Sequence, residues 1–522
     1  MNSRVGDTEM TADDDSTPSR REHVTAIARG GGFLAGGSFF DFASRFVIGL
    51  LLARLLGPGD YGLYHLAISA GAMFAGISSL GLDDAMVRYV AILSGRRDRP
   101  GVWGTIQIGL GITLPVAVVM GVGLYLAAPL VAEGLFDEPA LTPALHLMAW
   151  VVPALTLSNV LLGVTRGFGR MDHATFGENV VQSVVRMVLL AILALVGLEL
   201  WAALVIFAVS DVAASITFGI LINRGFSLRP SAHPQVRRDV RGVFGFAFPL
   251  WVSGLLNQFQ RNITAFVLGV SATSVSVGVF AIVSQVNMIG HAVYRAVIVA
   301  VKPLLAQLHD RGDRSSLSHI YTTTTRWLLI ANLPFFMGMI LYPASILAIF
   351  GEDYTAGASA LMVMAGAELI NAGTGICGSL IDMTGHTRVK VANSVLWLVV
   401  LGLANLILVP PFGVLGAALA YAISIAVVNL ARMTEMWILE RVAPSWRAYV
   451  KPLLAGAVAL GFGFTVQAWL PVGDDLVPAL SQGAGVVVVY GLVLWLLRLD
   501  DDDRDLLVRS LRKTSRRLRR RG

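Results

Sequence analysis

The sequence predicts an all-α polytopic membrane protein of about 14 transmembrane helices, arranged as two pseudo-symmetric six-helix lobes plus two C-terminal helices. Three observations predict it. Of the 522 residues, 55% are hydrophobic and only 14% are charged, where soluble domains carry roughly 25% charge. Apolar runs of roughly 20 residues recur along nearly the whole chain, each long enough to cross about 30 Å of hydrocarbon. The breaks between the runs alternate between basic and acidic. The runs are helices because a span in lipid has to satisfy its backbone hydrogen bonds internally.

Taken in order, residues 1–32 form a polar cytoplasmic tail without an apolar core, so no cleavable signal peptide is expected. An N-lobe of residues 33–222 holds six spans, near 33–55, 62–81, 103–131, 140–165, 174–197 and 201–222. The basic linker 223–242, "NRGFSLRPSAHPQVRRDVRG", leads into a C-lobe of residues 243–440. Its spans fall near 244–268, 276–301, 318–350, 356–381, 389–409 and 414–438. Residues 441–498 hold two more, near 449–470 and 477–498, and residues 499–522 form a basic cytoplasmic tail.

The basic residues test that count. Thirty-four of the 40 Lys and Arg fall in the N-terminal tail, in alternate connections, or from Arg498 onward. The connections concerned carry Arg88 to Arg99, Arg166 and Arg170, Arg224 to Arg241, Lys302 to Arg314, Arg388 and Lys390, and Arg432 to Lys451. The other connections carry Asp60, Glu133, Asp137, Glu138, Glu199, Glu352, Asp353, Asp474 and Asp475, and no basic residue. By the positive-inside rule both termini are expected in the cytoplasm, with the chain in a plasma or inner cell membrane. The formal charge of +6 is then a topology signal and implies no nucleic-acid partner. The lone Cys377 lies in an apolar run and the nine histidines show no ligand spacing, so no disulfide framework, metal or cofactor is expected.

The chain also repeats itself. Gly62-Leu63-Tyr64 corresponds to Gly278-Val279-Phe280, Phe136 to Phe350, and Gly163 and Gly169 to Gly378 and Gly385. Asn179 matches Asn393, and Ala202-Ala203-Leu204 matches Ala417-Ala418-Leu419. The offset stays between 214 and 216 residues through these pairs, and only Leu56-Gly57 departs, pairing with Leu268-Gly269 at 212. An even number of spans per copy makes the repeats parallel, a transporter architecture with its site at the midplane between the halves. Spans thirteen and fourteen fall outside the repeat.

The remaining basic residues, Arg45, Arg54, Arg186, Arg261, Arg295 and Arg326, lie within spans. Each costs roughly 2.5–3.5 kcal/mol at a helix centre, so such residues face a partner or a wet cavity. Arg54 sits at a helix end, where it can snorkel, and Arg326 reads best as a structural contact. Polar neighbours stand at helical spacing: Ser38, Asp41 and Arg45; Glu178, Gln182 and Arg186; Asn257, Gln258 and Arg261; Ser284, Asn287, His291 and Arg295; Glu368, Asn371 and Asp382. Any one stripe is explained equally well by polar contacts that hold a bundle together. As a set, with a basic excess on both halves, they point to an aqueous cavity for an anion such as phosphate or pyrophosphate, which suits guanidinium forks. Arg45, Arg261 and Arg295 lead the list of anion ligands, with Arg186, Asn257, Gln258, Asn287 and His291 beside them. The acids Asp41, Glu178, Asp211 and Glu368 are candidates for coupling to protons or sodium.

The stretch "ASRFVIGLLLARLLGPGDYGLYHLAIS" (43–69) resembles the start of the polysaccharide-biosynthesis flippases of the multidrug/oligosaccharidyl-lipid/polysaccharide superfamily. The family's Leu-Gly-Pro-x-x-Tyr-Gly turn matches Leu56 to Gly62, and "SLGLDDAMVRYVA" (79–91) resembles its next block. The resemblance extends over the twelve repeated spans. It implies two lobes around a cavity that opens alternately to either side, walled mainly by the first, second, seventh and eighth spans. It implies transport of a polyprenyl-linked oligosaccharide from the cytoplasmic to the outer leaflet, by a monomer that polysaccharide-assembly enzymes accompany. The branch that moves the peptidoglycan precursor is similar at Ser44-Arg45 but carries an Arg-Asp pair where this chain has Leu51-Leu52. That departure favours a surface polysaccharide or glycan as cargo.

Two rivals remain. A cation-coupled multidrug antiporter of the same superfamily would use the membrane acids, and the basic residues in the same stripes weaken it. A membrane glycosyltransferase or polymerase would use Asp83-Asp84 as an outer acidic pair, but the charge pattern puts that pair on the cytoplasmic side, so no enzyme and no catalytic residue is expected. Gly373 to Gly378 matches GxGxxG without a preceding strand, and the sequon at Asn262 sits at membrane depth. The tail "RSLRKTSRRLRRRG" reads as a topology anchor.

Overall fold

In the computed structural model, residues 20–195, 197–228, 236–442, 446–473 and 475–497 are described. The side chains of residues 20–39, Asp41, His291 and Arg295 lie outside that description, as do most of the expected N-terminal tail, the centre of the linker and the C-terminal tail. The described residues form helices and no strand: α1 (Arg20–Ser79), α2 (Leu82–Gly95), α3 (Arg99–Gly134), α4 (Leu141–Gly167), α5 (Met171–Thr175), α6 (Gln182–Leu193), α7 (Leu200–Gly225) and α8 (Val240–Ser271). They continue as α9 (Ser274–Asp310), α10 (Arg314–Leu341), α11 (Pro343–Ala348), α12 (Ala358–Thr374), α13 (Cys377–Met383), α14 (Thr387–Glu440), α15 (Trp446–Trp469) and α16 (Leu476–Leu496). A π-helical turn, Phe176–Val181, joins α5 to α6.

Eleven of these segments are long and apolar enough to cross a membrane, which makes this a multi-pass membrane protein. Two of the eleven, Phe42–Ser79 and Arg388–Glu440, are each two helices folded back at a glycine, at Gly57 (φ 70, ψ 171) and Gly413 (φ 54, ψ −125). The reversal at Gly413 is direct. A Cβ on Gly416 would lie 2.0 Å from the Leu408 carbonyl oxygen, whereas eight residues of continuous helix would separate them by about 12 Å. Gly49 and Tyr61, on either side of Gly57, both meet Gln285. The eighth span is the shorter apolar Ser274–Gly290 within α9. With two hairpins and this segment, apolar helices stand at all fourteen expected positions.

The repeat reappears in backbone conformation. Four pairs of residues with positive φ stand 214 to 216 positions apart: Arg97 (φ 56) and Gly312 (φ 66), Asp137 (φ 51) and Gly351 (φ 140), Gly169 (φ 71) and Gly385 (φ 82), Gly197 (φ 103) and Gly413 (φ 54). Asp98 and Asp313 each follow such a residue and cap a helix, accepting from Gly101 N at 3.0 Å and Ser316 N at 3.0 Å. The hydrogen bonds from Ser316 hold the Asp313 carboxyl below the usual carboxylate range.

Helices α1 to α7 pack on one another, α8 to α14 form a second group, and α15 and α16 pack together against α10. At the end bearing the acidic connections the groups share one core, which includes Leu52, Ala53, Leu66, Phe136, Val283, Phe350 and Tyr354. At the basic end the cores are separate. One holds Leu82, Met86, Ile106, Val164 and Phe218, extended by Val243 and Ala247 of α8 with Phe244 and Phe246 packed on it. The other holds Leu305, Tyr321, Ile376, Leu380 and Met436. Lipid tails are as apolar as these side chains, so helices associate through close packing of small residues. Gly62 and Gly278 make the tightest such contact: a Cβ on the first would lie 1.8 Å from the Ser274 carbonyl oxygen, and on the second 2.0 Å from that of Pro58.

Candidate functional site

The acidic end is stitched shut by polar contacts between the two groups. Arg54 donates Nε–H to the Ile349 carbonyl at 2.7 Å, and the Tyr354 hydroxyl donates to the Ala53 carbonyl at 3.2 Å. Gln285 donates to the Phe46 carbonyl at 3.2 Å and accepts from the Tyr61 hydroxyl at 3.5 Å. Phe46 meets Phe350 edge-on at 5.6 Å. Sequence reasoning passed over Arg54 and Gln285, because their partners are backbone carbonyls of distant segments. At the basic end the joint runs along α2 and α8. There the Trp251 indole donates to the Ile77 carbonyl at 3.2 Å, and the Arg88 guanidinium lies 4.2 Å over the Phe246 ring.

Helix α8 is the least buried of the eleven candidate spans, with 11% of its apolar window inside the protein. Its exposed residues fall on two faces. Phe248, Val252 and Phe259 mark one. Ser253, Asn257 and Arg261 mark the other, about 160° away at 100° per residue. An apolar face against lipid and a polar face against water is what a helix between bilayer and cavity requires. Asn257 is anchored by donating to the Ser253 carbonyl at 2.9 Å. Half-buried Gln258 accepts from Arg261, which fixes that guanidinium beside it. On α1, Arg45 is exposed on the opposite side from exposed Val47.

The acids separate into different settings. Glu368 of α12 is 3% exposed and accepts from Asn287 of α9 at 3.3 Å, Asn371 at 3.1 Å and the Tyr421 hydroxyl of α14 at 2.6 Å. Asn429 donates to the Asn371 amide oxygen at 3.0 Å and extends the cluster. Asn287 therefore serves a buried carboxylate, and Tyr421 and Asn429 complete a site that sequence reading had only begun. Their signal was present as polar residues eight apart on one face of the twelfth span. In the other group, Gln182 donates to Asp211 Oδ1 at 3.1 Å, and Arg186 donates to the Ser210 hydroxyl at 2.7 Å while lying 4.5 Å over the Phe207 ring. Glu178 stands apart from both, ion-paired with Arg166 at 2.8 Å near the basic end. The side chains of Asp41, His291 and Arg295 fall outside the described residues. No group of His, Cys, Asp and Glu among the described residues could hold a metal ion.

Comparison with known proteins fits this architecture. The lipid II flippase MurJ in an inward closed conformation superposes with a TM-score of 0.70 at 14% identity, over 90% of this chain and 98% of that one. A relative from Haloferax volcanii described as "probable low-salt glycan biosynthesis flippase Agl15" is 22% identical over 191 residues, which span 36% of this chain and only 40% of the relative. A second from the same organism, "probable flippase AglR", is 21% identical over 357 residues, 66% of this chain and 72% of the relative. Residues 27–309 match the family described as "polysaccharide biosynthesis protein". With more than half of its length inside that match, the chain belongs to the polysaccharide biosynthesis protein family.

Proposed function

We propose that the protein moves a polyprenyl-(pyro)phosphate-linked oligosaccharide from the cytoplasmic to the outer leaflet, for surface polysaccharide or glycan assembly, by alternating access of its two lobes. The observation that carries this reading is the shared core at the acidic end set against separate cores at the basic end. With the basic end cytoplasmic by the positive-inside rule, the lobes join along α2 and α8 and share less of their core toward the leaflet where such a cargo is made. The polar face of α8 and the exposed Arg45 on α1 then offer guanidinium groups to the cargo phosphates. Family membership and the flippase names of the relatives support the same class of activity, a transporter and not an enzyme. The cargo is handed across by exchange of the seal, which opens the acidic end as the basic end closes.

The driving ion is assigned to the acids. Glu368 with Asn287, Asn371 and Tyr421 forms a buried carboxylate site suited to a proton or sodium, and Asp211 with Gln182 is the second candidate. The same carboxylate would serve a cation-coupled drug antiporter, and drug susceptibility in an efflux-deficient host separates the readings. The decisive experiment is deletion of the gene followed by mass spectrometry of polyprenyl-linked glycans. Accumulation on the cytoplasmic face with loss of surface polymer is expected. An unchanged lipid-linked pool would overturn the flippase reading.

A further inference from the structure

We propose that the basic end of the N-terminal group carries an anion site, separate from the transport path, which binds the phosphate of an anionic phospholipid in the adjacent leaflet. The site is a pocket of about 410 Å³ between the end of α4, α5 and the end of α7, lined by Phe168, Arg170, His173, Arg224 and Phe226 among others. Its floor is apolar, with Phe168 and Phe226 rings 5.6 Å apart, and its charge comes from the two arginines. Arg224 makes no ion pair or hydrogen bond among the described residues. Arg170 donates to His173 at 2.9 Å and stands 3.8 Å from Asp172, which lies 3.6 Å from His173 as well, so this carboxylate is engaged beside the pocket and does not line it. The nearby Arg166 is already neutralised by Glu178.

The internal repeat supplies the control. Arg170 follows left-handed Gly169, and its counterpart His386 follows left-handed Gly385. Arg224 lies in the last turn of the sixth span, and Glu440 ends the twelfth. In the second copy Glu440 is 4% exposed and sits between His386 and His309, at 3.1 Å from each. That copy brings its own anion to the place. The first copy puts a cation at the matching helix end, so two arginines line the pocket without an anion of their own between them among the described residues. Two guanidinium forks over an apolar floor suit a phosphate oxygen fan carried on a hydrocarbon.

The position selects a lipid as the source. Val212, Ile216 and Ile220 form an exposed apolar stripe along α7 at four-residue spacing, and Arg224 is the next residue of that stripe. The stripe faces acyl chains, so its basic terminus lies at headgroup depth. Basic pockets between helices at this depth bind anionic headgroups.

The test uses the full chain in phosphatidylcholine nanodiscs into which phosphatidylglycerol is titrated, with thermal stability and bound lipid by native mass spectrometry as readouts. Wild type is expected to gain stability saturably as phosphatidylglycerol rises. Arg224→Gln and Arg170→Gln should each weaken that response about fivefold, the effect of one basic residue near an anionic surface. Arg224→Glu, which recreates the arrangement of the second copy, should abolish it. Arg311→Gln, a basic-end control away from the pocket, should leave it unchanged. A wild-type response to phosphatidylglycerol that survives Arg224→Glu overturns the proposal. Protection by inorganic phosphate without any by phosphatidylglycerol overturns the lipid assignment.

Discussion

Arg45 and Arg261 are the side chains whose removal bears most directly on the cargo. A charge-assisted hydrogen bond is worth about 1.5–3 kcal/mol, so Arg45→Ala or Arg261→Ala should lower transport roughly ten- to a hundredfold with membrane insertion intact. Normal surface polymer in both variants would remove the phosphate role. Glu368→Gln should uncouple transport from the ion gradient, read as loss of stimulation when a proton or sodium gradient is imposed on proteoliposomes. Asp83, in the basic-end helix α2, gives a pH prediction. Burial, and then the neighbouring Asp84, push its carboxyl above the usual range. The folded state thus favours the protonated form, and ionisation at neutral pH works against folding. Asp83→Asn should raise the unfolding temperature near pH 7, and the gain should vanish as pH falls below the ordinary carboxylate range; a pH-independent gain would contradict the assignment. At this scale the sequence was partly legible. Glu368 stood out as an acid in an apolar span, but its hydroxyl partner Tyr421 is 53 residues away and only packing brings it close. Glu178 and Gln182 look like one stripe at α-helical spacing. The π-helical turn through Phe176–Val181 alters that register, so Glu178 meets Arg166 while Gln182 meets Asp211.

Elements were more legible than residues. The turn Gly57-Pro58-Gly59-Asp60 is readable as a hairpin because Gly57 takes φ 70, ψ 171, a conformation closed to side chains, and Pro58 then starts the next helix. The hairpin at Gly413 follows the same logic with φ 54, ψ −125. Gly413→Ala should destabilise by about 1–3 kcal/mol through strain alone, seen as a lower unfolding temperature in detergent. Gly62 is a different case, since its backbone is ordinary helix and its need for glycine comes from the facing Ser274 carbonyl. The repeat marked Gly62 and Gly278 as equivalent without revealing that they touch, because the offset within a sequence carries no information about which copies of an element cross.

At the scale of the whole molecule, the apolar runs made the positions of the spanning helices legible, but not which end is closed. Both states of a rocking transporter are built from the same helices, and their balance rests on packing at the seam. A disulfide between Gly49→Cys and Gln285→Cys, in a Cys377→Ser background, should hold the acidic end shut. Transport should stop and return on reduction, and undiminished transport by the cross-linked protein would contradict alternating access. The Gly62–Gly278 crossing has one more consequence, and it is bioenergetic. Backbones in direct contact leave no room for a water molecule between them, so under the proposed alternating access the crossing would act as electrical insulation whenever the cavity fills with water. Gly62→Val should spoil that insulation and let protons seep down their gradient with no sugar present. A pH-sensitive dye sealed in vesicles would report such a leak, and a silent dye would assign the insulation to other parts of the seam.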